Sequence, residues 1–132
     1  EGNGGVILPA LHYGRDALVG IALFLSHLAK EKISVSALKA RYASYVMDKK
    51  KIELSPSWDA DALLAAVATA FADERVTTID GVKIDFDDSW IHLRKSNTEP
   101  IIRLYGEAKT QEKMADKINT IEAAIAAFVA ST

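Results

Sequence analysis

The sequence predicts an α+β fold: an antiparallel sheet of about four strands with two helices on one face, preceded by a separate and very apolar helix. Three observations predict it. From residue 47 onward the apolar spacing switches between period two and helical period, in the order β-α-β-β-β(-β)-α. The segments of period two are joined by short polar turns, Asp80-Gly81 and Asp87-Asp88-Ser89 among them. The helix ahead of them is apolar on nearly every side, so it calls for burial on more than one face, while the rest of the chain has its own sheet to cover.

Val6-Ile7-Leu8 follows glycines and ends at Pro9, the pattern of a short buried strand. Asp16 is placed to cap a helix over residues 17–30, its carboxylate accepting from early backbone N–H groups. Leu18, Val19, Ile21, Ala22, Leu23, Phe24, Leu25 and Leu28 surround that helix. Ser34 or Ser36 starts a second helix running to about Tyr45, with Leu38, Tyr42 and Tyr45 as its apolar side. A domain boundary falls near residues 43–48, dividing the chain into 1–45 and 46–132.

Residues 47–54 form a strand carrying Lys49, Lys50 and Lys51. Ser55-Pro56-Ser57 opens the next helix, with Pro56 tolerated in the first turn; Leu63, Ala66, Val67, Ala70 and Phe71 recur at helical spacing. Residues 76–79 and 82–86 pair as a hairpin, since Asp80-Gly81 suits a two-residue type I′ turn. Val82, Ile84 and Phe86 alternate there with Lys83 and Asp85. The strand over 90–94 puts Ile91 and Leu93 on one face and Trp90, His92 and Arg94 on the other. A last strand spans 101–107. Thr110 then caps a helix with one stripe of Met114, Ile118, Ile121, Ile125 and Phe128.

Hydrophobic residues make up 49% of the 132, enough for the core of one domain, or of one small domain plus a piece of another. Lys and Arg number 16 against 18 Asp and Glu, and a net charge of −2 offers no basic surface for nucleic acid. There is no cysteine, so there is no disulfide and no thiolate metal site, which fits a cytoplasmic location. The apolar run over 17–29 is too short to span a bilayer and lacks the basic leader of a signal peptide, so no membrane partner is expected. The chain opens at Glu1 without a methionine, and reads as a piece of a longer protein.

The densest chemistry lies in Arg94-Lys95-Ser96-Asn97-Thr98-Glu99-Pro100-Ile101-Ile102-Arg103, on a loop between two strands. Arg94 ends a strand, so its guanidinium can present a fixed fork to a phosphate. Ser96 and Thr98 offer hydroxyls, and Asn97 offers an amide and tolerates tight-loop backbone. Pro100 stiffens the loop, which lowers the ordering entropy lost on binding. The same residue types also make polar hairpin loops that bind nothing, and composition alone does not separate the two.

Arg-x-Ser-Asn-Thr-x-Pro closely resembles the phosphate-binding loop in the last domain of the α-D-phosphohexomutases, the phosphoglucomutase/phosphomannomutase family. Glu1-Gly2-Asn3-Gly4-Gly5 resembles the sugar-binding loop of that family's third domain, commonly Gly-Glu-x-Ser-Gly-His. The resemblance implies that residues 1–45 are the helical remnant of an α/β third domain, and that 46–132 are a TATA-box-binding-protein-like fourth domain. It implies an isomerase that interconverts hexose 1-phosphates and 6-phosphates through a phosphoserine, a bisphosphorylated intermediate and Mg2+. Residues matching Arg94, Ser96, Asn97 and Thr98 grip the phosphate that is not transferred. Glu99, Pro100 and Arg103 support the loop, Arg103 bracing it through Glu99.

Glu1 and Asn3 would meet sugar hydroxyls, Asn3 replacing a serine and Gly5 standing where a histidine is usual. These departures leave the hexose open and argue against a firm assignment as a phosphoglucosamine mutase. No Ser-His-Asn-Pro-like nucleophile loop and no Asp-Gly-Asp-x-Asp-Arg-like metal loop occurs. The resemblance therefore places no catalytic residue and no metal ligand here, puts Mg2+ outside this chain, and implies that the chain alone is inactive. The expected partners are a phosphosugar and the remaining domains of the same polypeptide. The alternatives are a phosphoglucosamine mutase, a non-catalytic phospholigand-binding module and a structural piece.

Other polar residues carry less. His12, His27 and His92 lack metal-ligand spacing. Asp85, Asp87 and Asp88 read as a solvated hairpin, Lys49 to Lys51 as a solvated edge strand, and Trp58 and Trp90 as packing residues.

Overall fold

The computed structural model describes residues 4–131, so Glu1 and Asn3 lie outside the described residues. The chain divides into two compact units, one ending at Ala43 and the other beginning at Ser44.

In the first unit, helix α1 (Ala17–Glu31) starts where the Asp16 carboxylate accepts from the Val19 amide at 3.0 Å. It ends at Lys32, whose left-handed backbone (φ 52) returns its amide to the Leu28 carbonyl. No residue of α1 is buried, and Leu18 is 79% exposed. Val6-Ile7-Leu8 is not a buried strand: Leu8 makes an isolated bridge with His12, and Val6 and Ile7 are exposed. A strand needs a neighbour along its edge, and the described residues of this unit hold no other strand. Helix α2 (Val35–Lys39), capped by Ser34, stops well short of Tyr45. Leu38 is its buried residue, whereas Tyr42 and Tyr45 are exposed. So short a helix rests on its caps, and the chain beyond it straightens toward a strand that begins at Val46.

The second unit contains five strands rather than about four: β1 (Val46–Glu53), β2 (Arg75–Thr77), β3 (Val82–Asp85), β4 (Ser89–Lys95) and β5 (Ile101–Ala108). Their order is β1-β5-β4-β3-β2, and every neighbouring pair is antiparallel. The hairpin expected over 76–79 and 82–86 supplies both β2 and β3, with β2 as a short edge strand. The lysine-bearing β1 forms the opposite edge, where lysines deter pairing with other chains.

Helices α3 (Ala60–Ala70) and α4 (Gln111–Ala130) share one core with the sheet. Leu63, Ile84, Ile91, Leu93, Ile102, Leu104, Met114, Ile118 and Ile121 are fully buried there. Burying one such side chain stabilises the fold by about 1.5–3 kcal/mol. Ile91 and Leu93 face inward and Trp90 and His92 outward, as alternation requires. The α4 stripe is buried from Met114 to Ile125, with Phe128 packed against its end, and Thr110 caps the helix by accepting from the Lys113 amide at 3.3 Å. Gly106 on β5 leaves the space that Met114 fills, since a Cβ there would meet the Met114 methyl group and Ile91 Cδ1.

Two local expectations change. Helix α3 begins at Ala60, not at Ser55-Pro56-Ser57, because Asp59 accepts from the Asp61 and Ala62 amides at 2.8 and 3.2 Å. Ser55-Pro56-Ser57-Trp58 instead closes a β-turn, the Trp58 amide donating to the Ser55 carbonyl at 2.9 Å with Pro56 in its favoured second place. The inward face of α3 therefore holds Leu64, and Ala70 is exposed. The β2–β3 connection is not a two-residue type I′ turn. Thr77 lies opposite Lys83, which leaves an odd number of residues between them, and only Gly81 has positive φ (75), whereas type I′ needs it at both central positions. A left-handed glycine closing a longer loop satisfies the same twist.

Candidate functional site

Residues 96–100 connect β4 to β5 at one end of the sheet. The loop is closed by its own backbone: the Ser96 amide donates to the Ile101 carbonyl at 2.9 Å, and the Ile101 amide donates to the Glu99 carbonyl at 2.8 Å. The Leu54 amide donates to the Pro100 carbonyl at 2.9 Å, which ties the loop to the segment after β1. Within the loop the Ser96 and Thr98 hydroxyls are 3.4 Å apart, and the Thr98 amide lies at the same distance from Ser96 Oγ. Arg94, Asn97 and Thr98 are exposed and Ser96 is half-buried. The structure thus places Arg94, Ser96, Asn97 and Thr98 at one sheet end, a guanidinium, two hydroxyls and an amide that can each donate to an oxyanion.

Ion pairs hold the surroundings. Glu99 meets Arg103 at 3.2 Å and Lys51 at 3.6 Å, joining the loop to β5 and β1. The Arg103 guanidinium is held above its ordinary pKa, first by the Tyr105 hydroxyl beside it and then by Glu99. Arg94 pairs through Nε with Asp80 Oδ1 at 3.2 Å. Lys95 Nζ reaches both oxygens of Asp61, at 2.7 and 2.6 Å, linking the end of β4 to the first turn of α3. Asp61, Leu64, Asp80, Gly81, Arg94, Lys95 and Asn97 line a recess of about 160 Å³ beside the loop.

Asp80, Asp61 and Lys51 escape a reading of the sequence. Asp80 shows there only as a turn residue, and the signal that brings it near is strand register: with Val82 opposite Leu93, Gly81 comes opposite Arg94 and carries Asp80 beside it. Several other polar groups have local partners. His12 lies 3.1 Å from Asp16, Asp85 and Asp88 pair with Lys83 and Lys113, and Lys50 meets Glu122 on α4 at 2.8 Å. Trp58 packs against the core, and Trp90 lies under Lys83. Among the described residues no three His, Asp or Glu side chains group to hold a metal ion. Among them, too, no helix is long and apolar enough to cross a membrane.

Residues 36–124 match the family model described as phosphoglucomutase/phosphomannomutase, C-terminal domain. The chain belongs to this family. Among its relatives, a phosphoglucosamine/phosphogalactosamine mutase of Sulfurisphaera tokodaii is 36% identical over 124 residues, covering 92% of this chain and 27% of that protein. A phosphoglucomutase/phosphomannomutase of Thermococcus kodakarensis is 39% identical over 115 residues, covering 86% and 25%. A crystal structure of a phosphoglucomutase/phosphomannomutase family protein from Burkholderia thailandensis superposes with a TM-score of 0.66 at 27% identity, covering 87% of this chain and 24% of that one. This phosphoglucomutase/phosphomannomutase family chain spans about a quarter of the length of the curated relatives it matches. The match takes in the whole β4–β5 loop.

Proposed function

We propose that this chain is the C-terminal part of a phosphohexomutase, and that Arg94, Ser96, Asn97 and Thr98 hold the non-transferred phosphate of a hexose phosphate. Residues 1–45 would be the end of its third domain and 46–132 its fourth. The observation that supports this reading is the placing of these four residues in and beside a backbone-closed loop, in a chain of a mutase family. The guanidinium supplies a fork for two oxygens, the hydroxyls rotate to meet the third, and Glu99, Pro100 and Arg103 keep the loop from collapsing when the ligand leaves. The parent enzyme interconverts 1-phosphates and 6-phosphates, so its bisphosphorylated intermediate turns over and the same loop accepts either phosphate. Binding in a fixed place serves transfer by positioning.

Glu1 and Asn3 would contact sugar hydroxyls. The phosphoserine and Mg2+ belong to the remaining domains of the polypeptide, which would also cover the apolar surface of α1, and the chain alone has no mutase activity. The parent enzyme works in the cytoplasm. Hexosamine phosphates are a second reading of the substrate, favoured by the name of the Sulfurisphaera tokodaii relative.

Titration of the chain with glucose 1-phosphate, mannose 1-phosphate and glucosamine 6-phosphate, followed by amide NMR, tests the reading. Shifts centred on residues 94–98 are expected. Arg94→Ala should weaken binding at least about tenfold, since one charge-assisted bond contributes about 1.5–3 kcal/mol and tenfold is about 1.4. The absence of any shift at millimolar ligand would overturn it.

A further inference from the structure

The β2–β3 loop reaches across to the residue that the phosphate reading depends on most. Gly81 sits so close to β4 that any Cβ would run into the Leu93 carbonyl oxygen, and would lie 3.1 Å from Arg94 Cα. His92 Nε2 is 2.6 Å from the Asp80 carbonyl oxygen, which makes Nε2 the protonated, donating nitrogen. The loop is thereby pinned at the Asp80 carbonyl and at Gly81 after it, and the Asp80 carboxylate comes to 3.2 Å from Arg94 Nε.

We infer that Asp80 is a positioning residue: by holding Arg94 at Nε, it aims the outer edge of the guanidinium at a phosphate monoester. The inference rests on the phosphate reading above. Arg94 stands at an exposed strand end, where an unheld side chain of this length samples many rotamers and loses that freedom on binding. A carboxylate beside the inner nitrogen, paired with it as an exposed ion pair, removes part of that loss in advance and leaves the NH1/NH2 edge to meet two oxygens. Lys95, the other cation lining the recess, is already engaged by both oxygens of Asp61, so directed bonds from Arg94 matter more than general positive charge.

The sign of the effect is diagnostic. Asp80 is an anion beside the place where a dianion would bind, and by Coulomb repulsion alone its removal tightens binding. Positioning makes the opposite demand. Inorganic phosphate and glucose 1-phosphate are titrated into the whole chain and into Asp80→Ala and Asp80→Asn, with loop amides and Arg94 Nε–Hε followed by NMR and melting recorded for each protein. Asp80→Ala should raise Kd about two- to fivefold, the range of a solvent-exposed pair, with unchanged melting and a displaced Nε–Hε signal before ligand is added. Asp80→Asn keeps the loop shape and an oxygen acceptor, and should fall between.

In an Arg94→Lys background, which has no Nε–H, Asp80→Ala should no longer weaken binding. Equal or tighter binding by both Asp80 variants overturns the inference, as does a loss that persists unchanged in the Arg94→Lys background. If the unaltered chain binds and Arg94→Ala abolishes it while the Asp80 variants bind normally, this inference alone falls. If the unaltered chain binds no phosphate, the phosphate reading falls first and this one with it.

Discussion

Gly81→Ala should be a costly methyl group in the second unit, and its cost can be worked from geometry. Gly81 has φ 75, a conformation that costs an L-residue about 1–2 kcal/mol. The added Cβ would also collide with the Leu93 carbonyl oxygen. That obstacle is backbone in the centre of a sheet, so it cannot rotate away, and overpacking of this kind costs about 1–3 kcal/mol. The smaller conformational freedom of alanine in the unfolded chain returns about 0.4–1 kcal/mol. A net loss of about 1–4.5 kcal/mol is expected. It should appear as a lower urea midpoint at unchanged m value and as a drop in Tm on the order of 10 °C or more. Gly81→Asn separates the two contributions, because asparagine tolerates left-handed backbone but carries the same Cβ. If Asn is as harmful as Ala, the collision dominates. A loss below about 0.5 kcal/mol for Gly81→Ala, the range of an uninvolved surface change, refutes the close approach of this loop to β4. The same substitution pushes Asp80 off Arg94, so phosphate affinity should fall in the fraction that remains folded.

Met114 has no exposed surface, and Met114→Ala should cost about 2–5 kcal/mol in the same denaturation experiment. It also opens the room that Gly106→Ala lacks, so the double variant should lose less than the two single variants together; strict additivity would rule out that packing. Asp88 titrates below its ordinary 3.8, chiefly because Lys113 donates to its carboxylate. A depressed folded-state value adds stability above the unfolded value, and that stability is lost as pH falls through the folded one. Asp88→Asn should therefore flatten the decline in stability below about pH 4, and an acid limb identical to that of the unaltered chain would exclude the pair as its source.

Strong local signals carried well from sequence to structure. The α4 stripe and the alternation of Ile91 and Leu93 each span enough residues for one period to win. Short or ambiguous signals did not. Ser55-Pro56-Ser57 has the composition of a helix start and of a β-turn, and the Asp59 carboxylate decided between them. Val6-Ile7-Leu8 is apolar enough for a strand, but pairing needs a second strand, which no run of three residues can specify.

The candidate site divides along the same line. Arg94, Ser96, Asn97 and Thr98 are neighbours in the chain, so their type and spacing were legible without a fold, and so was the pairing of Arg103 with Glu99 four residues away. Asp80 beside Arg94, Asp61 on Lys95 and Lys51 on Glu99 join residues 14, 34 and 48 positions apart. Those pairs exist only because the β3–β4 and β1–β5 registers and the seat of α3 are what they are. The sequence by itself determined the cluster of donors that the proposal assigns to a phosphate. Tertiary structure decided which acids hold them, because a slip of one residue in either register would turn these side chains to the opposite face of the sheet.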